Sequence, residues 1–112
     1  MKQVILDTSF ILSCVRQKID FFEELEHMGM QITIPEQTID ELMGLGAQLA
    51  LKILGKHKFH LIKIKGKNAD TAIIKFAKEN PEAIVATLDL DLKKKVKNQK
   101  MVIRGRRQIE II

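Results

Sequence analysis

Near its start the chain reads Lys2-Gln3-Val4-Ile5-Leu6-Asp7-Thr8-Ser9, a short apolar run that stops on one acid and two hydroxyls. A helical pattern begins directly afterwards at Phe10. An apolar run of this length feeding straight into a helix reads as a buried strand. Strands of that kind belong to sheets covered on both faces. Asp7 then stands at the carboxyl end of a strand, where open parallel sheets carry ligands and chemistry. A plainer role is also open: Asp7, Thr8 or Ser9 caps the helix, since N-caps favour these residue types.

The alternation continues along the chain. Helices are predicted over residues 10–15 and 20–28, then a β-branched strand over 31–34. Pro35 starts a helix with Ile39, Leu42 and Met43 on its apolar side, Gly44-Leu45-Gly46 breaks it, and 47–54 continues as helix. A strand over 60–64, a helix over 69–78 and a strand over 83–87 follow. A lysine-rich helix over 90–98 leads to a fifth strand over 101–103, and 109–112 could add an edge. Strands alternating with helices give an α/β chain: a three-layer α/β/α fold on a mostly parallel sheet of about five strands. No linker or repeat divides the 112 residues, so one domain spanning 1–112 is expected. That length buries a core without disulfides or a structural metal. The single cysteine, Cys14, excludes an intramolecular disulfide and reads as a small core residue. Apolar runs are too short for a membrane span, and the opening segment is strand-like rather than a signal or transit peptide. A soluble cytoplasmic protein is the expectation.

Charge is unevenly distributed. Residues 1–50 hold 3 Lys/Arg against 8 Asp/Glu, and residues 51–112 hold 16 against 6, so the halves carry −5 and +10. The second half has two basic stretches, one from Lys52 to Lys67 and one holding Lys93, Lys94, Lys95, Lys97, Lys100, Arg104, Arg106 and Arg107. An excess of this kind suits a polyanion such as nucleic acid, although a solvated lysine-rich surface has the same composition. With no Trp and no Tyr, a base-stacking platform is not expected. RNA contacts through phosphate are assigned to Lys93, Lys94, Lys97, Arg104, Arg106 and Arg107.

Three acids follow strands. Asp7 comes after the first, Asp70 opens the helix after the third, and Asp89 lies just past the fourth. Parallel strands aim their carboxyl ends at one rim, so these acids share it. If the first and fourth strands are neighbours where the strand order reverses, Asp7 and Asp89 flank the crevice. Glu41, in the helix after the second strand, could lean over the same rim, but periodicity alone does not choose between it and Asp40. Helix capping or dipole roles are open to each acid separately: Asp70 behind an Asn68 cap, Asp89 and Asp91 before the next helix, Glu41 in a capping box with Thr38. Two carboxylates ~5 Å apart repel by roughly 3 kcal/mol at an effective dielectric near 20. A cluster of them takes up protons or binds a cation, and oxygen donors suit Mg²⁺ or Mn²⁺.

In its motifs the chain resembles the PIN-domain nucleases over nearly its whole length. The resemblance rests on Val4-Ile5-Leu6-Asp7-Thr8-Ser9, Ile39-Asp40-Glu41-Leu42, Ala69-Asp70-Thr71-Ala72-Ile73 and Val85-Ala86-Thr87-Leu88-Asp89, in that order. It implies a Mg²⁺- or Mn²⁺-dependent ribonuclease, with Asp7, Glu41, Asp70 and Asp89 as metal-binding acids. Thr87, and Thr8 or Ser9, would support the site or a water. It also implies RNA as partner and a homodimer as one assembly. The ending, from Leu92 through Arg104, resembles the branch of ribosomal-RNA processing factors, with VapC-type toxin ribonucleases as neighbours. Leu88 departs from the family, many members of which carry a polar residue there. A non-catalytic RNA-binding or assembly module is the alternative of a different class. Asp89-Leu90-Asp91 resembles a phosphatase motif but follows a late strand, His57 and His60 lack a third ligand, and no phosphate-binding glycine loop is present.

Overall fold

In the computed structural model, which describes residues 1–105 and 107–112, the alternation of the first strand is explicit. Along β1 (Lys2–Leu6), Val4 and Leu6 enter one core and Ile5 enters another. Period-two side chains place a core on each face of the sheet. The first core is closed by α1 (Thr8–Arg16), α2 (Phe21–His27), α3 (Glu36–Gly44) and α4 (Gln48–Gly55), through Phe10, Phe22, Leu42 and Leu54 among others. The second is closed by α5 (Ala69–Glu79) and α6 (Leu90–Lys95), through Ile73, Phe76 and Leu92. The three-layer expectation holds. Cys14 is fully buried in the first core. Burial, with the nearby Glu24 carboxylate, pushes its thiol up to about 12, so it is inert packing.

The remaining strands are β2 (Met30–Pro35), β3 (His60–Ile62), β4 (Ile84–Ala86), β5 (Lys100–Arg104) and β6 (Gln108–Ile111). They form one six-stranded sheet in the order β3-β2-β1-β4-β5-β6. Every pairing is parallel except β5 with β6. The edge strand that residues 109–112 could add is present as β6 and makes the sheet six-stranded, with Ile103 opposite Ile109. No helix among the described residues is long and apolar enough to cross a membrane.

Most element boundaries fall within a residue or two of the sequence expectation; of the differences, those at β3 and α6 come with tertiary hydrogen bonds that override periodicity. The third strand stops at Ile62 rather than 64, because the carbonyl of Ile64 accepts from the buried Gln37 side chain. The lysine-rich helix stops at Lys95, with Val96 extended at φ −120°, ψ 145°. There Asn98 turns inward and donates to the carbonyls of Ala77, Asn80 and Ala83 at 3.2, 2.9 and 2.8 Å. Pro35 ends β2 opposite Ile62 and stands as the N-cap of α3 instead of beginning it.

Candidate active site

Strand order reverses between β1 and β4, which lie side by side with Leu6 opposite Ala86. The helices leaving them, α1 and α6, pack on opposite faces. That divergence opens the crevice in which doubly wound sheets bind ligands. Asp7 and Thr87 follow the paired residues directly, and the Asp7 amide donates to the Ala86 carbonyl at 2.9 Å.

Asp7 is 3% exposed. It occupies the N-cap position of α1, yet its side chain takes no capping hydrogen bond from the helix backbone. The capping role open to it in sequence is not realised. Its Oδ2 instead accepts from Thr87 Oγ1 at 2.7 Å and Ser9 Oγ at 2.8 Å. Each hydroxyl is held in turn by a backbone donor: the Asp89 amide reaches Thr87 Oγ1 at 3.0 Å and the Leu88 amide reaches Ser9 Oγ at 3.1 Å. A buried carboxylate is thus fixed through one oxygen, and no donor among the described residues reaches the other.

Glu41, not Asp40, turns to this rim. Its Oε1 accepts from Thr8 Oγ1 at 2.7 Å and its Oε2 from the Ala69 amide at 2.7 Å, whereas Asp40 is exposed. The capping box considered for Thr38 and Glu41 does not form; Thr38 Oγ1 donates to the Leu6 carbonyl at 3.3 Å. Asp89 caps α6, its Oδ1 accepting from the amides of Asp91 at 2.9 Å and Leu92 at 3.3 Å. Asp91 lies exposed in the first turn. Asn68 caps α5 in a reciprocal box with Thr71, leaving the Asp70 carboxylate without a donor among the described residues.

Asp70 feels the other three acids. Partial burial holds the Asp70 carboxyl above the ordinary carboxylate range, and the charges of Asp7, Asp89 and Glu41 push it the same way, with Lys95 opposing them. No ion pair relieves this: the one salt bridge among the described residues joins Arg104 to Glu110 at 3.1 Å on the far edge. Oxygen donors without sulfur or imidazole suit a hard divalent cation. No three acidic, histidine or cysteine side chains among the described residues cage an ion as they stand. Mg²⁺ is commonly held through one or two carboxylates, its own waters and substrate phosphate, and an open rim suits that.

A family model described as "PIN like domain" matches residues 4–108. This chain belongs to the PIN like domain family. It is 33% identical to Ribonuclease VapC4 of Methanocaldococcus jannaschii, over 99% of this chain and 97% of that protein. It is 35% identical to the rRNA-processing protein fcf1 of Schizosaccharomyces pombe, over 84% of this chain but 53% of that protein, so it spans about half of that relative. Among solved structures it is similar to the PIN domain endonuclease Utp24, at a TM-score of 0.86 and 29% identity, over 97% of this chain and 90% of that one. A PIN like domain with this strand order accounts for the gathering of Asp7, Glu41, Asp70 and Asp89 from four separate sequence segments.

The basic candidates are placed less uniformly. Lys94 and Lys97 are exposed and Lys93 half-buried, on or just past α6, whose first turn lies at the acidic rim. Arg104 is engaged with Glu110, Arg107 is exposed beyond β5, and Arg106 lies outside the described residues. Two further residues bear on the rim, one named in the sequence only as part of the basic stretch and one not singled out there at all. Lys95 is a cation whose charge reaches Asp70, and its place three residues after the inward Leu92 was the available signal. Gln37 gave no signal, because its partners are backbone carbonyls distant in sequence.

Proposed function

We propose that this PIN like domain is a Mg²⁺- or Mn²⁺-dependent endoribonuclease that hydrolyses phosphodiester bonds in RNA. The observation that carries it is a buried Asp7 at the sheet switch point with one oxygen free of protein donors, beside an Asp70 repelled by Asp7, Asp89 and Glu41, with no cation paired to these acids among the described residues. Relatives named a ribonuclease and an endonuclease support it. Ribosomal-RNA processing is the proposed setting, supported by the name of the fcf1 relative.

In this reading Asp7, Asp70 and Asp89 offer free oxygens to the ion, with Glu41 beside them. A bound divalent ion supplies an activated water and stabilises the departing oxygen of the cleaved bond. Thr87 and Ser9 fix Asp7 through its Oδ2 and leave Oδ1 for the ion. Lys95 and the lysines of α6 attract the phosphates that flank the cleaved one. Crystals grown with Mn²⁺ test the assignment. Anomalous density touching Asp7 and Asp89 is the expected result. An empty rim at millimolar Mn²⁺, in a protein that still binds RNA, would establish the assembly module instead.

A further inference from the structure

Glu41 differs from the other three acids in how its oxygens are used. Asp7 and Asp89 each spend one oxygen on protein donors, and Asp70 spends none among the described residues. Both oxygens of Glu41 are taken, at 2.7 Å each, by Thr8 Oγ1 and the Ala69 amide. Ala69 is the first residue of α5, so its amide is one of the helix donors without an intrahelical partner. The Asn68 cap satisfies the Thr71 amide, and Glu41 satisfies that of Ala69 from another helix.

The side chain one turn earlier on α3 grips the same segment. Residues four apart share a helix face. From that face Gln37 donates its amide to the carbonyls of Ile64 and Gly66, the second at 3.1 Å. Gly66 lies so close to α5 that a Cβ there would stand 2.7 Å from Thr71 Oγ1 and 2.9 Å from the Ala72 amide. Thr38, on the neighbouring flank, holds the Leu6 carbonyl just before Asp7. One face of α3 thus touches the backbone leading into Asp7 and the backbone leading into Asp70.

We propose that Glu41 is a positioning residue, not a metal ligand: with Gln37 and Thr38 it makes α3 a brace that sets the spacing between Asp7 and Asp70. This rests on the metal-site reading above for its consequence, but the brace itself exists without metal.

Glu41→Gln separates the two roles. A glutamine accepts from the Ala69 amide through its oxygen and donates to Thr8 Oγ1 through its nitrogen, so the brace survives while the carboxylate is lost. Mn²⁺ titration of the whole chain should show Glu41→Gln within about threefold of the parent, whereas Glu41→Ala and Gln37→Leu each lose about 10–100-fold, as supporting residues do. Hydrogen exchange at the Ala69 amide, measured without metal, should stay slow in Glu41→Gln and quicken in Glu41→Ala. If Glu41→Gln loses Mn²⁺ as fully as Asp7→Asn while the Ala69 amide stays protected, Glu41 is a ligand and the brace is refuted. Unchanged Ala69 exchange in Glu41→Ala refutes it as well. A parent chain that binds no Mn²⁺ would overturn the nuclease reading, and the amide data would still decide on the brace.

Discussion

At the residue scale the site depends on hydroxyls as much as on acids. Thr87 is fully buried, donates to Asp7 and accepts from the Asp89 amide, so one side chain aligns two acids from neighbouring segments. Thr87→Val keeps the shape but leaves that amide unpartnered. We expect a loss of about 1–3 kcal/mol in a denaturant melt and a fall in cleavage of about 10–100-fold, with Thr87→Ser restoring most of both. Asp70 predicts a pH effect. Its carboxyl is held above its ordinary 3.8 by burial and by Asp7, Asp89 and Glu41, so the folded chain keeps this proton more tightly than the unfolded one. Stability from this group is therefore full below 3.8 and declines as pH rises through the folded value. In metal-free melts Asp70→Asn should be the more stable protein at pH 7, by less than about 1 kcal/mol because a half-exposed carboxylate is screened. The difference should vanish in acid. At this scale the sequence offered the acids and threonines but not their partners. Asp40 and Glu41 are adjacent in one helix, and only the fold puts Thr8 and the Ala69 amide in reach of the second.

At the scale of elements, the proposed function gives one acid of α6 two tasks. Asp89 caps the helix through Oδ1 and leaves Oδ2 without a protein donor among the described residues, so capping and metal binding are compatible. Asparagine caps as well as aspartate, so Asp89→Asn should melt at or above the parent temperature while losing Mn²⁺ affinity. Asp89→Ala should lose about 1 kcal/mol as well as the metal. Asp91→Asn should lose about 0.3–1 kcal/mol of helix-dipole stabilisation and keep most of its activity. Calorimetric titration and thermal melts on the three variants check this; metal lost with Asp91 and kept with Asp89 would reverse the assignment. Element positions were legible because apolar spacing is a local signal. The ends of β3 and α6 were not, since Gln37 and Asn98 fix them from elsewhere in the chain.

Across the whole molecule, strand order converts sequence into a site. Four weak segments become one rim because β1 and β4 are neighbours, a consequence of the reversal that sequence order suggested but could not prove. The sixth strand was harder to read, as four residues at a sheet edge carry little periodic signal. The charge asymmetry is the other global property. Replacing Lys93 and Lys94 with Ala should weaken binding to every unstructured RNA alike, and lower the log–log salt slope by about 0.7 for each phosphate no longer neutralised. A loss confined to one RNA sequence would show base readout instead. The proposed metal-dependent cleavage is tested most directly by one comparison: a labelled unstructured RNA incubated with the parent chain and with Asp7→Asn, in Mg²⁺ and in chelator. The parent should cleave in Mg²⁺ and stop in chelator, and Asp7→Asn, folded to the same melting temperature, should be slower by about a hundredfold or more. Cleavage by Asp7→Asn at the parental rate, or cleavage that persists in chelator, would contradict it.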